Sequence, residues 1–157
     1  MTETDLKFLQ QAIDVSRRSK ENGNHPFGAI LVSHDGEVLL EAENTVNTSK
    51  DATGHAEINL MRMASQQFPI ETLAASTLYS SCEPCAMCAG AIYWTGVGRL
   101  VYALSETKLY EMTGANTDNP TMHLECREVL ARGQRKIEIL GPALEIEASA
   151  VHAQFWG

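Results

Sequence analysis

The sequence has no long apolar run, little basic charge and few cysteines, and each shortage removes a class of explanation. No uninterrupted hydrophobic stretch approaches the roughly 18–20 residues needed to cross a bilayer. The opening Met1-Thr2-Glu3-Thr4-Asp5 is acidic with no apolar segment behind it, which predicts a chain without a secretory leader, placed in the cytoplasm. Lys and Arg total 12 against 20 Asp and Glu, a net charge of −8. A surface that grips several phosphates needs cations, so a nucleic-acid partner is disfavoured. The longest basic cluster, Arg132-Gly133-Gln134-Arg135-Lys136, reads as solvated surface. The 4 cysteines among 157 residues could form two disulfides, but a chain this long in the cytosol does not need them, and the Cys85–Cys88 spacing points to metal or redox chemistry instead. Residues 1–157 are expected to form one domain, with 44% hydrophobic residues supplying a core.

Helical and strand patterns alternate along the chain. Leu6, Leu9 and Ile13, widened by Phe8, Ala12 and Val15, predict an amphipathic helix over Asp5 to Asn22, with Gly23 just past its end. Phe27 to Ser33 reads as a strand, His34-Asp35-Gly36 as a turn and Val38-Leu39-Leu40 as the start of the return strand. Asn44 to Gly54 is polar, without a period, and reads as a loop. A second helix is expected from His55 to Gln67, then a short strand over Thr77 to Ser80, and a third helix opened by Pro84 and running to Trp94. Arg99 to Ala103 and Lys136 to Leu140 read as strands; Glu106 to Met112, His123 to Arg132 and Leu144 to Phe155 read as helices. Such alternation predicts an α/β layer sandwich with part of its sheet parallel, in which sites gather where strand ends meet helix starts.

Two short stretches carry chemistry, His55-Ala56-Glu57 and Pro84-Cys85-Ala86-Met87-Cys88. Cysteines three apart at a helix start can aim both sulfurs at one point, and the positive helix end favours the thiolate that binds metal. With His55 they make a nitrogen and two sulfurs, a donor set that suits zinc. Three protein ligands leave a fourth position for an activated water, the pattern of a catalytic zinc. Two thiolates cancel the ion's charge, so that water is acidified less than at a site of neutral ligands. A neighbouring carboxylate is then required to take its proton, and Glu57 is placed for that. Together the two halves form the H-x-E with P-C-x-x-C signature of zinc deaminases.

Other readings stand beside this one. Cys82, three residues before Cys85, would close a structural Cys3His site, which leaves Glu57 without a role. Cys85 and Cys88 alone would make a redox pair. His25, His34, His123 and His152 have no partner spacing and read as surface or ordinary hydrogen-bonding residues.

The sequence resembles the cytidine-deaminase-like superfamily, and within it the guanine deaminases. The resemblance runs from about Asn24 to Ala103. It rests on His25-Pro26-Phe27-Gly28-Ala29, on Thr53-Gly54-His55-Ala56-Glu57, and on the run from Ser81-Cys82-Glu83-Pro84-Cys85 to Ile92-Tyr93-Trp94. It implies a three-layer α/β/α sandwich with a five-stranded mixed sheet, one Zn2+ per chain, and a homodimer, in some members with exchanged C-terminal segments. It also implies that Asn44 hydrogen-bonds the base, that the Ala56 backbone N–H binds a ring substituent, and that Phe27 and Trp94 pack on the ring.

Departures come later in the chain. Guanine deaminases carry a purine-reading carboxylate after the fourth strand and a tyrosine near the C-terminus. Here the corresponding stretch, Met112 to Asp118, offers both Asn116 and Asp118, and the later aromatic is Trp156. The expected reaction is hydrolytic deamination of a free nucleobase, guanine to xanthine first. Another small amino-heterocycle (guanosine, cytosine, ammeline or another aminotriazine, a pterin), a tRNA adenosine, and a non-catalytic zinc module remain as alternatives.

Overall fold

The computed structural model describes residues 1–156. Five strands lie in the order β2-β1-β3-β4-β5: β1 (Gly28–Val32), β2 (Val38–Glu43), β3 (Thr77–Cys82), β4 (Arg99–Leu104) and β5 (Glu138–Leu140). β1 pairs antiparallel with both β2 and β3, while β3–β4 and β4–β5 are parallel, so the sheet is mixed as expected. The parallel pairs are those whose connections contain helices, as a crossover requires.

Side chains alternate between two cores. Ala29, Leu31, Leu78, Leu100 and Tyr102 face α3 (Ala56–Gln67), α5 (Ala86–Thr95) and α7 (Cys126–Ala131). Ile30, Val32, Tyr79, Val101 and Ala103 face α1 (Glu3–Glu21) and α8 (Glu145–His152). Both faces are covered, which gives the three-layer α/β/α sandwich and explains why β1 is buried at every residue.

The first helix starts two residues before the expected boundary. Thr2 and Asp5 form a reciprocal capping box, the Asp5 N–H donating to Thr2 Oγ1 at 3.1 Å and the Thr2 N–H to Asp5 Oδ2 at 3.0 Å. This helix crosses β1 so closely that a Cβ on Gly28 would lie 2.5 Å from the Ser16 backbone nitrogen, and only glycine fits there. The polar stretch after β2 holds a single turn, α2 (Val46–Ser49), and α4 (Ile70–Ala74) lies between α3 and β3. The last three expected elements are shorter than their patterns: α7, β5 and α8 each lose residues to irregular backbone. α6 (Glu106–Thr113) follows β4, and the segment between α6 and α7 has no regular structure.

Candidate active site

Two helix starts meet beside the end of β3. His55 is the N-cap of α3 and Cys85 the N-cap of α5, both extended in backbone and neither using its side chain to cap its own helix. A free N-cap side chain can turn outward, and here both turn toward Cys88, one turn into α5. His55 Nδ1 lies 3.6 Å from Cys85 Sγ and 3.6 Å from Cys88 Sγ. A tetrahedral ion with a nitrogen at about 2.0–2.1 Å and a sulfur at about 2.3 Å needs an N–S edge of about 3.6 Å. The three donors therefore fit one zinc ion.

The protons on this cluster are already unevenly shared. Cys85 is pulled down to about 4, first by the hydrogen bond from Cys88 and also by His55 beside it. The opposite effect falls on Cys88, pushed well above the ordinary thiol value by carrying that shared proton and by burial. His55 is raised by its bond to Cys85. Of the two sulfurs, Cys85 is thus the one more readily held as a thiolate. Cys82 stands outside the three-donor group, its thiol pushed far up by burial and by nearby carboxylates, so the Cys3His arrangement is not formed.

Glu57, in the first turn of α3, is buried at 6% exposure and lines the same cavity as His55 and Cys85. Burial, and then the Cys85 charge, push its carboxyl up to about 7. A carboxyl balanced near neutrality can both take and give a proton.

The cavity above these groups has a volume of about 440 Å³. Asn44, almost fully buried, lines it. The Asn44 Oδ1 accepts the Val46 N–H at 3.0 Å, and among the described residues nothing engages its Nδ2, which is left as a donor. Phe27 also lines the cavity, with His152 edge-on behind it at 5.3 Å. Ala56 is wholly buried at the start of α3, and its N–H has no partner among the described residues.

The segment after α6 settles which of its two polar residues faces inward. Asp118 lines the cavity; the Asn116 amide instead donates to the Trp156 carbonyl, and its Oδ1 accepts the Asp118 N–H at 2.8 Å. Trp156 does not line the cavity but backs it, donating its indole N–H to His152 Nδ1 at 3.0 Å. Trp94 does not join the site within one chain. It lies on the outer face of α5, 83% exposed.

One histidine departs from expectation. His25 is buried and lines the cavity, whereas His152 is buried in an ordinary hydrogen-bonding role behind Phe27, and His34 and His123 are exposed. Burial holds His152 down to about 4, so it stays neutral and can accept from Trp156. Glu83, inside the cysteine motif, also does more than its sequence position suggests. Its carboxylate accepts the Glu106 N–H at 3.1 Å and the Cys126 N–H at 3.0 Å, tying the starts of α6 and α7 to the site.

Comparison with known proteins agrees with this geometry. Residues 2–104 match the family described as the cytidine and deoxycytidylate deaminase zinc-binding region. A probable cytosine deaminase of Schizosaccharomyces pombe is 37% identical over 156 residues, 99% of this chain and 94% of that protein. The guanine deaminase of Bacillus subtilis is 40% identical over 105 residues, 66% of this chain and 67% of that one. Its solved structure superposes with a TM-score of 0.62, covering 71% of this chain and 69% of that one at 38% identity. A tRNA-specific adenosine deaminase of Haemophilus influenzae is 36% identical over 107 residues, 68% of this chain and 62% of that enzyme. With a three-donor metal cluster, a buried carboxyl beside it and this match across both, the chain belongs to the cytidine and deoxycytidylate deaminase family of zinc enzymes.

Proposed function

We propose that the protein hydrolyses the exocyclic amine of a free nucleobase, guanine to xanthine and ammonia being the favoured case. The observation that carries this reading is Glu57, buried against the His55–Cys85–Cys88 cluster and opening onto the cavity. His55, Cys85 and Cys88 hold zinc, whose chemistry when bound is Lewis-acid activation of water. Glu57 takes a proton from the attacking water and returns it to the departing nitrogen, so that water is consumed and ammonia released. Asn44 donates to an acceptor beside the reacting carbon, and the Ala56 N–H donates to a second. Phe27 packs on the ring, and Asp118 accepts from a ring N–H.

Guanine is favoured because the likeness to the Bacillus subtilis guanine deaminase is accompanied by an inward carboxylate after β4, at Asp118. Cytosine is the second reading, supported by the Schizosaccharomyces pombe relative, which matches this chain over nearly its whole length, wall segment included. A tRNA substrate is disfavoured by the net charge of −8. Met87 and Trp94 lie exposed on one face of α5, and a Cβ added at Gly90 between them meets nothing. This flat apolar stripe supports pairing with a second copy, as expected of a homodimer.

Ammonia release from guanine, cytosine, guanosine, adenine and ammeline tests the reading. Glu57→Gln should keep its zinc and lose about a hundredfold to ten-thousandfold in turnover. Full activity in that variant would remove the mechanism.

A further inference from the structure

His25 is a titratable cavity residue to which the deamination chemistry gives no task. It is 9% exposed, yet its ring nitrogens make no hydrogen bond among the described residues. The ring is fixed from behind, edge-on to Trp156 at 5.2 Å and to Phe155 at 5.9 Å. Those aromatic neighbours offer it no acceptor. Its ring nitrogens are not among the fully buried, partnerless side-chain atoms of the described residues, so His25 keeps a nitrogen open to the cavity it lines. Asp118 lines the same cavity without forming an ion pair with His25 within 4.0 Å, so the two stand as separate poles, one acceptor-only and one able to donate.

We propose that His25 is a specificity-determining residue that donates to the acceptor nitrogen of a purine's five-membered ring, while Asp118 accepts from that ring's N–H. The inference rests on the free-base deaminase reading and deepens it. A purine's five-membered ring carries one N–H and one bare nitrogen in either tautomer, which matches this pair of poles. A single-ring pyrimidine base lacks the second nitrogen pair and leaves one pole unmatched. A nucleoside masks the N–H with its sugar, leaving Asp118 facing carbon. Burial keeps His25 in its neutral form, with one N–H to give, against the opposing pull of the Asp118 charge.

The test compares guanine with 7-deazaguanine, which replaces the acceptor nitrogen by C–H and keeps the N–H. One hydrogen bond of this kind corresponds to about tenfold in affinity. The unmodified protein should prefer guanine by about that factor in kcat/KM, mostly through KM. His25→Phe should erase the preference and His25→Asn, which keeps a donor, should restore part of it. Calorimetric binding of both bases to Glu57→Gln, where turnover is slowed by about a hundredfold or more, should show the same ratio largely independently of catalysis. The contrast on the unmodified protein needs no variant to fold. Equal handling of the two bases by the unmodified protein, or a preference that survives His25→Phe, would overturn the inference. Cytosine turnover without guanine turnover would also overturn it while leaving the deaminase reading intact. Silence on every base sinks both.

Discussion

Asp5 and Arg99 form a two-pronged ion pair between the first turn of α1 and the first residue of β4, Oδ1 meeting Nη1 at 2.7 Å and Oδ2 meeting Nη2 at 2.9 Å. Tyr79 donates its hydroxyl to the same carboxylate at 2.7 Å. Asp5 is almost fully buried, and the Arg99 guanidinium holds its carboxyl well below the usual carboxylate range, against the cost of burial. Its folded form binds fewer protons than its unfolded form, so the stabilisation is complete above an ordinary Asp pKa of about 4 and drains as pH falls. Asp5→Asn should cost about 3 kcal/mol at neutral pH, because it leaves Arg99 half-buried without its carboxylate. Urea denaturation at pH 7 and pH 3.5 checks this; the gap between the two proteins should narrow at the lower pH.

The position of Cys82 outside the metal group makes a separable prediction. Cys82→Ser should bind one equivalent of zinc, whereas Cys85→Ser and Cys88→Ser should lose it at moderate chelator concentration. Metal analysis after dialysis against a chelator distinguishes them. Zinc loss from Cys82→Ser would restore the structural-site reading.

His152 gives the fold a second acid sensitivity, separate from that of Asp5. Its pKa is lowered by burial to about 4, while an unfolded histidine titrates near 6.5. The folded state again binds fewer protons, so stability is full above about pH 6.5 and falls between there and about pH 4, by about 3 kcal/mol in total. His152→Gln keeps an acceptor for the Trp156 indole and removes the titration. Its denaturation midpoint should be flatter than that of the unmodified protein across this window.

Trp94, exposed on α5, is the natural reporter of self-association. Sedimentation equilibrium of the unmodified protein should give twice the 17.2 kDa chain mass, and Trp94→Glu should shift the population toward that of one chain. A single-chain mass for the unmodified protein at micromolar concentration would remove the dimer.

What was legible in the sequence is what depends on neighbours in the chain. α1 shows its period over five turns, the Asp35-Gly36 turn sets the β1–β2 hairpin, and Gly96 in a left-handed conformation stops α5 where expected. The metal donors were legible because their spacing is itself the geometry of a helix start. α2 and α4, at 4 and 5 residues, are too short for a period to declare itself. Of the back wall, Phe27 and Trp156 were named only through the resemblance, and the part of His25 and His152 in it was not legible. His25, Phe27, His152 and Trp156 meet only because α8 packs against α1, anchored by the Lys20 ammonium on the Val151 carbonyl at 3.0 Å. No local pattern marks a contact between residues so far apart. Which of Asn116 and Asp118 faces the cavity was left open for the same reason: the Asn116 amide is turned away to the distant Trp156 carbonyl while Asp118 lines the cavity.

The Asn116–Trp156 bond divides the site between two parts of the chain. His55, Cys85 and Cys88 are set by the starts of α3 and α5, whereas Asp118 belongs to a segment tied to Trp156 beyond α8. Donor geometry and cavity wall are therefore carried by different stretches, and a substitution in the second can reshape the cavity without touching the three donors.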